Sequence, residues 1–149
     1  MGGYFEYRHT VAFAETDLSG VADYVNYLVW QGQCREQFLR QRMREALTGE
    51  ADRPSLFTLK VDCDLLADVT ALDRLSIRMR VLEVRATQID LAFDYVKVTD
   101  LGEMLVAHGS QRIACISGPR HAPAPVPDAL ADALAPYADS VRPLAGRQS

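Results

Sequence analysis

The segment "ETDLSGVADYVNYLVWQGQCRE", residues 15 to 36, spreads an aspartate, a glycine and an arginine over what reads as a turn and the start of a helix. Those residue types could form a reaction site, or only the cap and solvated face of a helix. The Asp17 carboxylate can attack an acyl carbon or take a proton from a positioned water. The same side chain serves equally as the cap of a turn, because a short acid bonds readily to backbone just ahead of it. Arg35 lies eight residues beyond Tyr27, nearly back on one helical face, and its planar donors fit paired oxygens. The plainer reading of Arg35 is a helix arginine paired with Glu36 or with a carboxylate across an interface. Tyr27 is a core aromatic, either with its hydroxyl in the site or without. Gly32 inside a helix costs about 1 kcal/mol against alanine and so needs a use or a tolerant fold.

The surrounding elements must hold these groups. "YFEYRHTVAF" alternates as a strand, with Phe5, Tyr7, His9, Val11 and Phe13 on one side, and Gly20 then marks a turn. No proline occurs from 26 to 47, where Tyr27, Trp30, Cys34 and Phe38 recur at spacings of three and four, joined by Leu39, Met43 and Leu47. This predicts one long helix with an apolar stripe, capped by Asn26. After "TGEADRPS" come "LFTLKVDCDLLADV", "DRLSIRMRVLEVR", "QIDLAFDYVKV" and "EMLVAHGSQRIACIS", four stretches in succession that predict an antiparallel meander. The economical arrangement is α+β: a sheet of about five strands curved round a long central helix. Its outer face and edges are expected to carry apolar surface that a second subunit covers. "PDALADALAPY" reads as a short amphipathic helix, and the tail from about 139 as loose.

At 149 residues the chain suits a single domain, 1–149. Sixteen Lys plus Arg against 20 Asp plus Glu, a formal charge of -4, argue against a nucleic-acid binder. Cys34, Cys63 and Cys115 fit neither a disulfide framework nor a paired metal motif and read as core residues. His9, His108 and His121 lack ligand spacing, so no metal is expected. No export segment and no spanning apolar run is evident, which points to a soluble, cytoplasmic protein away from membranes. Arg40, Arg42 and Arg44 read either as a solvated helix face or as a surface for an acidic partner.

"TDLSG" together with "NYLVWQGQCRE" resembles the hotdog-fold thioesterases, over roughly residues 5 to 118. "VNYLVWQGQCRE", "LFTLKVDC" and "QRIAC" are similar, more narrowly, to the thioesterases of enediyne polyketide pathways. The resemblance implies a homotetramer built as a dimer of dimers with sites at subunit interfaces, and no cofactor. It implies hydrolysis of a polyene β-ketoacyl thioester on the phosphopantetheine arm of an acyl carrier domain, followed by loss of CO2 to a methyl ketone. Alternatives within this fold are a general acyl-CoA thioesterase and a non-catalytic acyl or carrier binder. Asp17 matches the acidic residue that many of these enzymes use, although enediyne members often carry Asn there. Tyr24 falls where the fold offers a backbone N–H to the thioester oxygen, and Arg35 would bind the β-keto end. Gly32 departs from the Glu common in relatives outside the enediyne group, which suggests a channel for a long stiff chain. Asp23 departs from a usual aromatic residue.

Overall fold

A computed structural model describes residues 3–43 and 55–138. Strand β1 (Phe5–Thr10) leads through a single 3-10 turn (Phe13–Glu15) to helix α1 (Val25–Arg42). Then follow β2 (Ser55–Leu65), β3 (Arg74–Val84), β4 (Gln88–Thr99), β5 (Gly102–Ser117), the two-residue β6 (Ala122–Pro123) and helix α2 (Asp128–Leu134). The sheet is antiparallel in the order β1-β3-β4-β5-β2, with β6 added on β5.

This order corrects the expected meander. Only β3, β4 and β5 pair as sequence neighbours among the long strands; β2 skips β3 and runs beside β5. The connection from β2 to β3 is fixed by long-range backbone bonds instead. Leu66 and Ala67 N–H donate to the Val106 carbonyl, Ala22 N–H donates to Val69, and Leu72 N–H donates to Val11. Alternation within a strand predicts the strand, but which neighbour it pairs with depends on these distant contacts.

The helix stripe packs as its period requires: Tyr27, Trp30, Cys34 and Phe38 are buried on α1, against Leu75, Ile77, Met79, Leu91, Phe93 and Tyr95 of the sheet. The helix is shorter than the expected 26–47. It has 18 residues and ends where Met43 leaves helical geometry (φ -122°, ψ 19°), while residues 44–47, Arg44 and the tail from 139 lie outside the described residues. Asn26 is not its cap. Tyr24 holds that position, and the Asn26 side-chain amide donates instead to the Glu15 carbonyl (2.8 Å).

The expected apolar outer face and edges are found at the edge strand β2 and corrected on the face of the central strands. The face of β3, β4 and β5 turned away from α1 carries charges in complementary pairs: Arg78–Glu103 (2.9 Å), Arg80–Asp94 (3.4 Å), His108–Asp94 (2.7 Å) and Arg112–Asp90 (2.9 Å). Exposed apolar residues gather instead on Tyr24, Val25, Leu28 and Val29 at the start of α1, and at the sheet edge, on Phe57, Leu59, Val61 and Leu65 of β2 with Leu66 just after it. At the far end α2 buries Leu130 and Leu134, as its amphipathic pattern predicts. Tyr137 then packs edge-on to Phe5 and Phe38.

Candidate active site

Glu15, which the sequence reading passed over, organises the loop that precedes α1. Its carboxylate accepts from Ala12 N–H (2.8 Å), Trp30 Nε1–H (3.0 Å) and the His9 ring (Nε2, 2.8 Å). Its carbonyl accepts from Asp23 N–H (2.8 Å) and the Asn26 amide. One residue thereby ties β1, the loop and the helix together. Burial raises its pKa, but the bonds from Ala12, His9 and Trp30 outweigh that and hold it below the ordinary value. The available sequence signal was Trp30: a buried indole N–H needs an acceptor.

Beyond Glu15 the chain makes a small hairpin, Thr16 bridging to Ala22, whose turn needs Gly20 at φ +84°. Asp17 sits at this turn, exposed. Its Oδ1 accepts from Ser19 Oγ (2.6 Å), Ser19 N–H (2.9 Å) and Val21 N–H (3.3 Å). Asp17 is therefore a turn cap, and Oδ2 has no partner among the described residues. Bonds from the Ser19 hydroxyl and then the Ser19 amide lower its pKa. It stays ionised and is a weak proton acceptor. A carboxylate in this state can orient a water better than it can deprotonate one.

Tyr24 caps the start of α1 with its N–H unpartnered among the described residues, and the residue is 71% exposed. Tyr27 is core: its ring lies 5.0 Å from that of Trp30 and 5.6 Å from that of Tyr95, and its carbonyl accepts from the Tyr95 hydroxyl (2.6 Å). Burial pushes the Tyr27 phenol up to about 12. Its hydroxyl finds no partner among the described residues, although buried polar atoms almost always have one. Cys34 is also pushed up to about 12 by burial, which leaves it an inert core thiol.

Arg35 is partly buried, and burial lowers its pKa. Its Nη1 donates to Thr58 Oγ1 (2.9 Å) on β2 and to Gln111 Oε1 (3.0 Å) on β5. No carboxylate pairs with it among the described residues, so the expected pairing with Glu36 is absent; Glu36 pairs with Arg40 instead (3.1 Å). Arg35 lines a small apolar cavity, about 20 Å³, together with Phe38, Leu56, Ile113, Leu130 and Leu134. Gly32 lies one turn of helix before Arg35, and a Cβ on it would meet nothing within 4 Å.

The helix places Tyr24, Leu28, Gly32 and Arg35 along one flank, at steps of four, four and three. That flank looks toward β2, since Arg35 reaches Thr58 and Gln31 reaches the Asp62 carbonyl. Val61 pairs with Gln111 and Leu65 with Ala107, which puts both on the helix side of β2; they are nonetheless 39% and 49% exposed. An open apolar groove therefore runs between helix and edge strand. Asp17 and Tyr24 stand at its start. Arg35 does not join them, because eleven residues of helix separate it from Tyr24 by about 16 Å along the axis.

A helix laid on an antiparallel sheet, with an exposed N-terminal amide and a carboxylate turn before it, can hold an oxyanion and a water together. Residues 11–134 match the thioesterase-like superfamily. The chain belongs to that superfamily. It is a hotdog-fold thioester hydrolase, as the motifs in residues 15 to 36 indicated. The dynemicin thioesterase, solved in a study of induced-fit and allosteric effects upon polyene binding, is 36% identical over 91% of this chain and 98% of its own, with a TM-score of 0.85. A thioesterase-superfamily protein from Jannaschia sp. CCS1 is 24% identical over 87% of this chain and 79% of its own (TM-score 0.75). The 1,4-dihydroxy-2-naphthoyl-CoA thioesterase Slr0204 from Synechocystis is 21% identical over 95% and 100% (TM-score 0.76). These last two likenesses are of fold. The comparison with curated proteins gives no match.

Among the described residues no helix is long and apolar enough to cross a membrane, and no cluster of His, Cys, Asp and Glu has the makings of a metal site.

Proposed function

We propose that this thioesterase releases a polyene β-ketoacyl chain from the acyl carrier domain of an enediyne polyketide synthase, working in the cytoplasm without a cofactor. The observation that carries the reading is Arg35, a cation at an apolar cavity with no carboxylate among the described residues to neutralise it. Such a pairing suits a ligand that is apolar along its length and rich in oxygen at its reacting end. The 36% identity to a thioesterase studied for polyene binding supports the same class of chain.

In this reading the thioester oxygen takes the Tyr24 N–H, and Asp17 Oδ2 orients a water toward the carbonyl carbon. A C–O bond forms as the carbonyl π electrons move to oxygen. The oxyanion then collapses, the C–S bond breaks, and the thiolate takes up the proton that the water gives up. The β-keto acid then loses CO2 to leave the methyl ketone. Asp17 acts by holding water, which agrees with its lowered pKa and with the Asn that the resemblance implies for many enediyne members. The Tyr27 hydroxyl, unpartnered among the described residues but buried with its ring, meets the substrate only if the chain enters the core.

Because Arg35 is about 16 Å along the helix from Tyr24, a β-ketoacyl group cannot reach both within one chain. The exposed apolar residues of β2 and α1 supply the remedy: a second copy covers the groove, and Arg35 of one copy serves the Tyr24 amide of the other. A dimer of such dimers is the assembly we propose. The cavity beside Arg35 has room for little more than a water, so a polyene must part its walls, with Gly32 leaving space along the flank.

The test is a mass-spectrometric time course with one β-ketoacyl chain loaded on a carrier domain and on CoA. Release from the carrier, abolished by Arg35→Ala and kept by Asp17→Asn, is expected. Equal or faster release from CoA would make this a general acyl-CoA thioesterase, and loss of turnover in Asp17→Asn would make the carboxylate essential.

A further inference from the structure

Behind Arg35 stand two side chains to which the reaction above gives no task. Gln31 is fully buried and Gln111 is 4% exposed, and with Ser76 they are the buried polar side chains of the described core. They form a line. The Gln31 amide nitrogen donates to the Asp62 carbonyl (2.9 Å), the Gln111 nitrogen donates to Gln31 Oε1 (3.0 Å), and Arg35 donates to Gln111 Oε1 (3.0 Å).

The direction of this line is forced at both ends. A backbone carbonyl only accepts, so Gln31 must turn its NH2 to Asp62 and its oxygen to Gln111. A guanidinium only donates, so Gln111 must turn its oxygen to Arg35. The backbone accommodates the line at Gly109, where a Cβ would stand 2.1 Å from the Gln31 nitrogen.

Two buried amides are a costly means of holding an arginine. A carboxylate would bind it more strongly, but would also cancel its charge. We propose that Gln31 and Gln111 are positioning residues whose neutral acceptors fix the Arg35 guanidinium with its charge intact, so that it takes the carboxylate, enolate or β-keto oxygens of an acyl ligand. The other residues named around the cavity are apolar, so the incoming oxygens are the only anionic partner there among the described residues. Linked bonds of this kind also polarise one another, and each amide strengthens the next as an acceptor.

The inference rests on the proposed reading for the kind of ligand, so it is tested apart from turnover. Octanoate, an apolar chain with a carboxylate, is titrated calorimetrically into the protein and its Arg35→Ala, Gln111→Glu, Gln111→Met and Thr58→Asp variants. Octanoate binding is expected to weaken at least tenfold in Arg35→Ala. Gln111→Glu and Thr58→Asp each bring a carboxylate to Nη1 and should weaken it about as much. Gln111→Met removes the acceptor without adding charge and should weaken it less than Gln111→Glu. A purely structural role predicts the reverse order, because Glu keeps a bond to Arg35 that Met loses. Thr58 lies partly exposed on an edge strand, so Thr58→Asp still reports if Gln111→Glu does not fold.

Octanoate binding to Thr58→Asp or to folded Gln111→Glu within twofold of the unmodified protein, or no binding to the unmodified protein, overturns the inference. If the expected order appears while no β-ketoacyl thioester is hydrolysed, the proposed function fails and the positioning role stands. If hydrolysis proceeds and the order is absent, the positioning role alone fails.

Discussion

Gly109→Ala is predicted to be among the most damaging single-methyl additions in this protein. Gly109 lies on β5 between Cys63 of β2 and Phe93 of β4, facing α1. An added Cβ would stand 2.1 Å from the Gln31 amide nitrogen and 2.6 Å from the Asp62 carbonyl oxygen. Both distances are well inside van der Waals contact. A free glutamine would swing away cheaply, but this amide is bonded at both ends, and the carbonyl is backbone. Forcing an extra carbon into a packed core costs about 1–3 kcal/mol. Leaving the Gln31 amide or the Asp62 carbonyl without its partner adds about 1–3 kcal/mol. Together they give a loss of about 2–6 kcal/mol, read by urea unfolding at neutral pH. Gln31→Ala removes the nearer clash but not the one with Asp62. The double variant should therefore be more stable than the summed single losses by about 1 kcal/mol. A loss below about 0.5 kcal/mol for Gly109→Ala, or strict additivity in the double variant, would refute this account of the close approach.

Gly32→Leu meets no atom within 4 Å and gains helix propensity, so thermal unfolding should show a gain of up to about 1 kcal/mol. Hydrolysis of long polyene chains should nonetheless fall more than that of short ones, and equal loss at both lengths would count against a channel on that flank. Glu15→Gln should cost about 1.5–3 kcal/mol at neutral pH, the range for hydrogen bonds to a charged group. Because the folded-state pKa of Glu15 is lowered, its contribution is present above the unfolded value, about 4.3, and is lost as pH falls through the folded value. The melting temperature of the unmodified protein should then drop more steeply than that of Glu15→Gln in this acid range, and parallel curves would exclude the role. Leu65→Arg on β2 should lower the mass measured by light scattering if that strand carries the proposed interface, with an unchanged circular dichroism spectrum.

How far the fold was legible depends on the range of the interactions involved. The apolar stripe of Tyr27, Trp30, Cys34 and Phe38 could be read directly, because a helix repeats every 3.6 residues and that period is local. The strands were legible for the same reason, as was the short helix holding Leu130 and Leu134. Strand pairing was not. The register of β2 beside β5 rests on partners far apart in the chain, such as Leu65 and Ala107, and no local pattern encodes it. Apolar surface was expected on the outer face as well as the edges, and the central strands instead carry charge there, although Arg78, Arg80, Asp90, Asp94 and Arg112 stand in plain view in the sequence. Their complementarity appears only once the strands are side by side.

The candidate site divides in the same way. Sequence alone determined the chemical class of Asp17, Arg35 and the residues between them, since residue type and spacing set what a side chain can donate, accept or attack. Only the tertiary structure decided what those groups are free to do. It occupied Asp17 Oδ1 in a turn while leaving Oδ2 open, gave Arg35 the neutral partners Thr58 and Gln111 in place of a carboxylate, and lined up Gln31 behind Gln111. Glu15 drew no notice in the sequence and proved to be the residue that ties β1, the loop and α1 together. The physical reason is that hydrogen bonding and desolvation are properties of neighbours in space, and the chain's neighbours in space are fixed only when the sheet closes on the helix.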